Sequence, residues 1–258
     1  MDYFVQNFQV FLLILVRMFT MFSVAPMFSS GAIPFRIRAI TTVYITVSIF
    51  PMVANYIGKI PESMFDYVLM IGSEALIGLL IGFLMSIIFA SFQLAARFFS
   101  FQMALGIAEV IDPFSEVGIT IVGQLWTLMG LMIFIGIQGP QLMIIATYDS
   151  YKAVRLFKII SDSRTMFEAL TSSFVAMFVI ALKLSFPILA TLFVLAVTLG
   201  MLAKAAPQMN IFMLGLPIQI GVGFIVMVMV IGAIVLGMSN ALTGAIDNLM
   251  RFINALGR

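Results

Sequence analysis

The sequence predicts an all-α polytopic membrane protein, and three observations carry that prediction. Hydrophobic residues make up 63% of the 258, and the mean hydropathy is +1.19. Charged residues make up only 9%, far below the roughly 25% of an ordinary soluble domain. Uncharged runs at residues 39–58, 75–96, 117–148, 184–203 and 205–246 reach or exceed the roughly 20 residues that cross a bilayer as a helix. No charged, Gly/Ser-rich or Pro-rich linker divides the chain, so residues 1–258 read as one membrane domain.

The first apolar segment runs from about Tyr3 to Phe28. Met1 is followed by Asp2 rather than a basic cluster, and Arg17 lies inside the segment, so it does not read as a cleaved signal peptide. A turn-rich SSGAIPFRIR follows, whose Arg36 and Arg38 favour the cytoplasmic headgroup side. The second segment covers about 39–57 and the third about 67–96, separated by the breaker-rich NYIGKIPES. Within the third, Ala75, Gly78 and Gly82 place small residues where another helix can approach closely.

Between Arg97 and Gly118 the pattern changes. The stretch carries Glu109, Asp112 and Glu116, and Pro113 disfavours helix at the preceding aspartate. Its apolar members Ala104, Leu105, Ile107, Val110 and Ile111 would be out of place in a free solvent loop, so the loop is expected to pack against protein. A fourth hydrophobic region covers about 119–148 and is interrupted by Gly136, Gly139 and Pro140. Residues 149–168 are the most polar internal segment, and Tyr151, Val154, Leu156 and Ile159 suggest a short interfacial amphipathic helix. Segments at about 169–202 and 215–239 complete the set, followed by a more polar tail.

Counting six simple spans puts Arg36, Arg38, Arg97 and Lys204 on one side and Lys152, Arg155, Lys158 and Arg164 on the other. That opposes the positive-inside tendency. The reading that resolves it makes one of the spans re-entrant or a hairpin buried in a bundle.

Composition also excludes functions. Histidine and cysteine are absent, removing the usual general base, the commonest metal ligands and thiolate chemistry. The eleven carboxylates are scattered, and no metalloprotease, Walker, dinucleotide or serine-elbow pattern appears. The expectation is no enzyme activity, no catalytic or metal-binding residue and no cofactor. A net charge of +2 without a dense basic track gives no nucleic-acid footprint.

Three charges stand inside apolar runs: Arg17, Glu74 and Lys183. Facing lipid at mid-depth they would be costly, so an enclosed interhelical or aqueous position is expected. Either a structural ion-pair network or a proton or substrate pathway would use them. The 21 methionines are compatible with a deformable seal, but Met and Phe are also ordinary apolar building material. The segment KAAPQMNIFMLG, from Lys204 to Gly215, sets a basic residue, Pro207, Gln208, Asn210 and Gly215 between two hydrophobic segments. Irregular backbone there belongs at the surface or against protein, where its amides find partners. Pro207 can break a helix, and Gln208 and Asn210 can satisfy freed backbone groups. This reads as a hairpin junction.

That junction also carries a resemblance. Pro187, Gly200, Lys204, Ala205, Ala206, Pro207, Gln208, Met209, Asn210, Phe212, Gly215 and Pro217 resemble the FliR family of flagellar biosynthetic R subunits. That family lies within the type III secretion inner-membrane export-apparatus proteins. Arg17 with Ala25–Phe28, then Pro34, Arg36 and Arg38, support it, as do Glu74, Gly78 and Gly82. So do Gly106, Ala108, Asp112, Pro113, Gly123 and Gln124. Lys204 departs from the usual arginine, keeping charge and losing the guanidinium fork. Near Gly139 the chain reads Gln138-Gly139-Pro140-Gln141, without the family's asparagine and histidines.

The resemblance covers essentially the whole chain. It implies a nonenzymatic core subunit of the flagellar export gate, multi-pass in the bacterial inner membrane and within the flagellar basal body. The fold it implies is of long helical hairpins, a P-like portion over about 1–200 and a Q-like hairpin over about 201–258, built into a helical heteromeric assembly. Implied partners are five P and four Q subunits beside one R, other flagellar export-apparatus membrane subunits, membrane lipid, and unfolded flagellar proteins as cargo. It further implies a plug in the central path around Leu105, Gly106, Ile107, Ala108, Val110, Ile111, Asp112, Pro113 and Gly118. Competing readings are an injectisome export gate, a purely structural ring-closing subunit and a small secondary transporter, since broken helices and buried charges also build solute sites.

Overall fold

A computed structural model describes residues 2–29, 33–58, 60–61, 63–103, 105, 121–153, 163–208 and 210–256. Every regular element among them is helical: α1 Asp2–Val24, α2 Pro26–Ser29, α3 Phe35–Val53, α4 Met64–Gln102, α5 Ile121–Gly136, α6 Gly139–Ala153, α7 Ser163–Ala205 and α8 Ile211–Leu256. A 3₁₀ turn at Ala54–Tyr56 extends α3. The chain is thus an all-α protein, and among the described residues five helices are long and apolar enough to cross a membrane, or six counting the bent pair α5 and α6.

The helices are longer than the apolar runs suggested. α4, α7 and α8 contain 39, 43 and 46 residues. At 1.5 Å per residue each has a contour of roughly 60–70 Å, about twice a hydrocarbon core of ~30 Å. α8 continues through the polar tail, which the hydropathy pattern had separated from the last span. Pro187 and Pro217 lie inside α7 and α8 without ending them.

The interruption expected in the fourth region is present as a 65° bend between α5 and α6. Gln138 makes that corner with φ of 59°, a left-handed backbone that costs a side-chain-bearing residue roughly 1–2 kcal/mol. Its N–H donates to the Ile135 carbonyl at 3.0 Å, and its own carbonyl accepts from Leu142 at 3.1 Å.

The chain divides into two compact units made of interleaved segments. One comprises Met1–Ile88, Ile135–Phe174 and Thr243–Arg258. In it α1 packs against α3 through edge-to-face rings, Phe11 with Phe50 at 6.1 Å and Phe19 with Phe35 at 5.8 Å. α1 also runs beside the first half of α4, with matched positions on the two helices separated by a near-constant offset. Tyr67 donates to the Gln9 carbonyl at 3.1 Å, Arg17 meets Glu74, and Gly82 meets Met21 and Ala25.

The second unit comprises Phe89–Phe134 and Val175–Leu242. Here the end of α4 and α5 form an antiparallel aromatic pair. Phe89 packs on Phe134 at 5.6 Å, Phe92 covers Gly130, and Phe99 lies 5.0 Å from the fully buried Trp126. Each such ring pair adds roughly 0.5–1.5 kcal/mol beyond area burial. α7 and α8 pair antiparallel, with Leu199 against Gly215 and Leu184 against Gly237. Met103, just beyond α4, fills the space beside Gly223.

Candidate functional site

The only full burial of opposite charge among the described ion pairs joins α1 to α4. Arg17 Nε lies 2.5 Å from Glu74 Oε2, and both side chains are 1% exposed. α6 completes the cluster. Arg17 Nη1 donates to Ser150 Oγ at 2.8 Å, and Ser150 in turn donates to the Thr147 carbonyl at 2.5 Å. The guanidinium stacks on Tyr151, with Cζ 3.8 Å from the ring centroid, and Tyr151 Oη donates to the Ile14 carbonyl at 3.3 Å. One arginine is therefore held by a carboxylate, a hydroxyl and an aromatic face from two other helices.

The sequence brings the helices close enough for this. One turn beyond Glu74, a Cβ on Gly78 would collide with the Arg17 carbonyl and Thr20 Oγ1. A Cβ on Gly82 would come within 2.7 Å of the Met21 carbonyl. α1 backbone thus lies directly on the glycine face of α4, the close approach that small residues permit. Thr20 removes its own polarity locally by donating to the Val16 and Arg17 carbonyls at 2.9 and 3.1 Å.

Chemically the arrangement is a lock. Desolvating both ions is expensive, and the Coulomb and hydrogen-bond returns roughly offset that cost while the set is complete. What it adds is register, since slipping α1 along α4 by one residue would strand both charges in an apolar interior.

The other predicted residues are distributed differently. Lys183, expected in an enclosed position with Arg17 and Glu74, is instead exposed on α7. Its ammonium sits on a flexible stem that can reach toward a polar boundary. Of the proposed plug residues only Leu105 is among the described residues; its N–H donates to the Ser100 carbonyl at 3.1 Å. Gly106, Ile107, Ala108, Val110, Ile111, Asp112, Pro113 and Gly118 lie outside the described residues.

The hairpin junction is well formed. α7 ends at Ala205, and Lys204, Pro207, Gln208 and Asn210 are exposed. Asn210 starts α8: its Oδ1 accepts from the Met213 N–H at 3.2 Å, and its carbonyl accepts from Met213 and Leu214. This satisfies an orphan donor of the first turn. Gly215 is buried against Leu199.

Sequence reasoning missed Ser150 and assigned Tyr151 to a separate interfacial helix. Tyr151 instead lies in the last turn of α6 and is 5% exposed. Val154, Leu156 and Ile159, the other members of that expected helix, fall outside the described residues. The missed signal is the period of α6: Met143, Thr147, Ser150 and Tyr151 share its buried face, while Tyr148, Asp149 and Lys152 alternate with them. Lys152 pairs with Asp149 at 3.2 Å and lies 4.1 Å over Tyr148, whose ring meets Tyr56 at 6.4 Å.

Comparison with known proteins gives one consistent result. The family model described as bacterial export proteins, family 1, matches residues 8–245. The chain is 29% identical to the flagellar biosynthetic protein FliR of Bacillus subtilis (strain 168), over all of this chain and 99% of that protein. It is 28% identical to FliR of Escherichia coli (strain K12), with 83% of this chain and 80% of the relative covered. FliR of Pectobacterium carotovorum subsp. carotovorum is 30% identical over 81% of this chain and 78% of its own length.

Proposed function

The chain belongs to the bacterial export proteins, family 1, and from that premise we propose that it is a nonenzymatic core subunit of the flagellar protein-export gate. In this reading it sits in the bacterial inner membrane within the basal body. One copy joins five P-type and four Q-type subunits and closes their helical assembly, with a P-like portion over about 1–200 and a Q-like hairpin over about 201–258. Other export-apparatus membrane subunits contact the assembly, and unfolded flagellar proteins pass through it.

The observation that carries the reading is the state of α8. Its apolar window is the most hydrophobic of the five spans, yet only 11% of it is buried within the chain. Phe224, Ile225, Val228, Met229 and Leu236 are exposed along it. A 46-residue helix is too long for the whole of such a face to meet hydrocarbon in one crossing. Neighbouring subunits would cover it, and helices of adjacent subunits could pack on its exposed Gly232.

The gating part of the proposal assigns Leu105 to Gly118 to a plug. Its apolar residues Leu105, Ile107, Ala108, Val110 and Ile111 exclude water and ions, and Asp112-Pro113 fixes the turn. The Arg17–Glu74 lock holds the α1–α4 frame, and the Lys204–Gly215 junction orients the Q-like hairpin. Energy enters elsewhere in the machine, since no nucleotide motif is present in the sequence.

The test is native mass analysis of the tagged chain after gentle extraction from cells that coexpress P- and Q-type subunits. A mixed assembly with one copy of this chain is expected. A stable monomer or homo-oligomer lacking those partners would overturn the reading. With assembly established, polar replacement of Leu105, Ile107 and Ile111 should let ions leak. A sealed membrane would assign closure to the partners.

A further inference from the structure

Beside the α7–α8 elbow lies an open groove of about 320 Å³ lined by Ala196, Leu199, Gly200, Ala203, Ile211, Gly215, Leu216 and Gln219. We infer that this groove is a binding slot for one acyl chain of an anionic phospholipid, whose phosphate is held at the rim by Lys204.

The helical period sets the geometry. Ala196, Gly200 and Lys204 are spaced i, i+4, i+8 and share one face of α7, so the lysine stands one turn beyond the lining glycine. Ile211, Gly215 and Gln219 repeat that spacing on α8. The lining is otherwise aliphatic, and a Cβ on Gly200 would meet nothing within 4 Å. The slot is therefore aliphatic along its length apart from Gln219, its lining residue farthest from the elbow on α8, and Lys204, Gln208 and Asn210 are all exposed at the elbow end. That is the polarity of a phospholipid, tail inward and headgroup at the elbow.

Charge and volume choose the occupant. Between Glu168 and Asp247 the sequence contains no acidic residue, and its only charges are Lys183 and Lys204. Nothing on this stretch of the hairpin competes with a phosphate for Lys204. A groove of about 320 Å³ lies at the small end of ligand sites. A flexible hydrocarbon chain fits both its size and its lining.

The purified full chain, with whatever subunits it retains, would be delipidated and given phosphatidylglycerol or phosphatidylcholine of identical acyl composition. Native mass spectrometry then counts bound lipid. Wild type should retain one tightly held phosphatidylglycerol. G200L fills the slot and should lose both lipids, and leucine in place of glycine favours the helix at this open position. K204Q, a substitution at an exposed site, should keep the acyl binding and lose about fivefold of the preference for the anionic lipid, the share of one basic residue. Equal lipid retention by G200L and wild type overturns the slot. An unchanged preference in K204Q overturns the headgroup assignment. Crosslinking of A203C to a protein partner in intact membranes would give the groove to a helix instead.

Discussion

The α1–α4 contact and the α7–α8 hairpin are built from similarly apolar sequence, yet they close their surfaces in opposite ways. On α4, 67% of the apolar window is buried within the chain, against 28% on α7 and 11% on α8. The first contact is finished: glycines admit the neighbouring backbone, and an arginine is enclosed by Glu74, Ser150 and Tyr151. The hairpin is joined internally at Leu184–Gly237 and Leu199–Gly215 but leaves rows of Val, Phe, Met and Leu uncovered. In a membrane protein, hydropathy does not separate these cases, because lipid and protein interior are equally apolar. Buried polarity does. A region that encloses charge must supply its own partners, whereas an apolar face can wait for another subunit.

The largest test breaks the finished contact. E74L leaves Arg17 buried without its carboxylate and should cost about 3–5 kcal/mol, read as a fall in the detergent unfolding midpoint of the purified chain. The double variant R17M/E74L removes both charges and should recover most of that loss, because a paired apolar replacement is often neutral. A single variant that unfolds like wild type would mean that packing alone holds α1 on α4. A smaller effect comes from the glycine face. G78A puts a methyl group against the Arg17 carbonyl and should cost about 1–3 kcal/mol through overpacking. G72A, on the same helix but facing open space, should gain about 0.5–1 kcal/mol from helix propensity alone. If both glycines respond alike, the close approach at Gly78 is not what distinguishes this contact.

These residues also mark what was legible in the sequence. Arg17 and Glu74 announce themselves as charges in apolar runs, since their cost in lipid demands enclosure. Lys183 gives the same signal and sits exposed, because a hydropathy run records neighbours in sequence and not the face on which a side chain falls. Ser150 and Tyr151 were hidden in a polar segment where inward and outward positions alternate around α6. Gly136, Gly139 and Pro140 disclosed the break between α5 and α6. The lengths of α4, α7 and α8 stayed concealed, because a polar residue ends a hydrophobic window without ending a helix. α8 runs through Ser239, Asn240 and Asp247 to Leu256 in this way.

A third test lies at the corner between α5 and α6. Gln138 holds a left-handed backbone that glycine adopts freely. Q138G should raise stability by about 1 kcal/mol, and Q138V should lower it by more, since a β-branched side chain tolerates that conformation worst. Matching unfolding midpoints for the two variants would mean that the corner is not strained.

The smallest effect on the chain should be the most damaging to its assembly. Gly232 is exposed on α8, and a Cβ there meets nothing within 4 Å. G232L should therefore cost the isolated chain nothing and raise its stability by about 0.5–1 kcal/mol through helix propensity, as at Gly72. In the proposed gate the same leucine would stand where a neighbouring helix approaches, and co-recovery of P- and Q-type subunits should fall sharply. Loss of stability in the isolated chain would place Gly232 in an internal contact. Unimpaired co-recovery would leave this face of α8 to lipid, and the contrast between a self-completed contact and a partner-completed hairpin would no longer hold there.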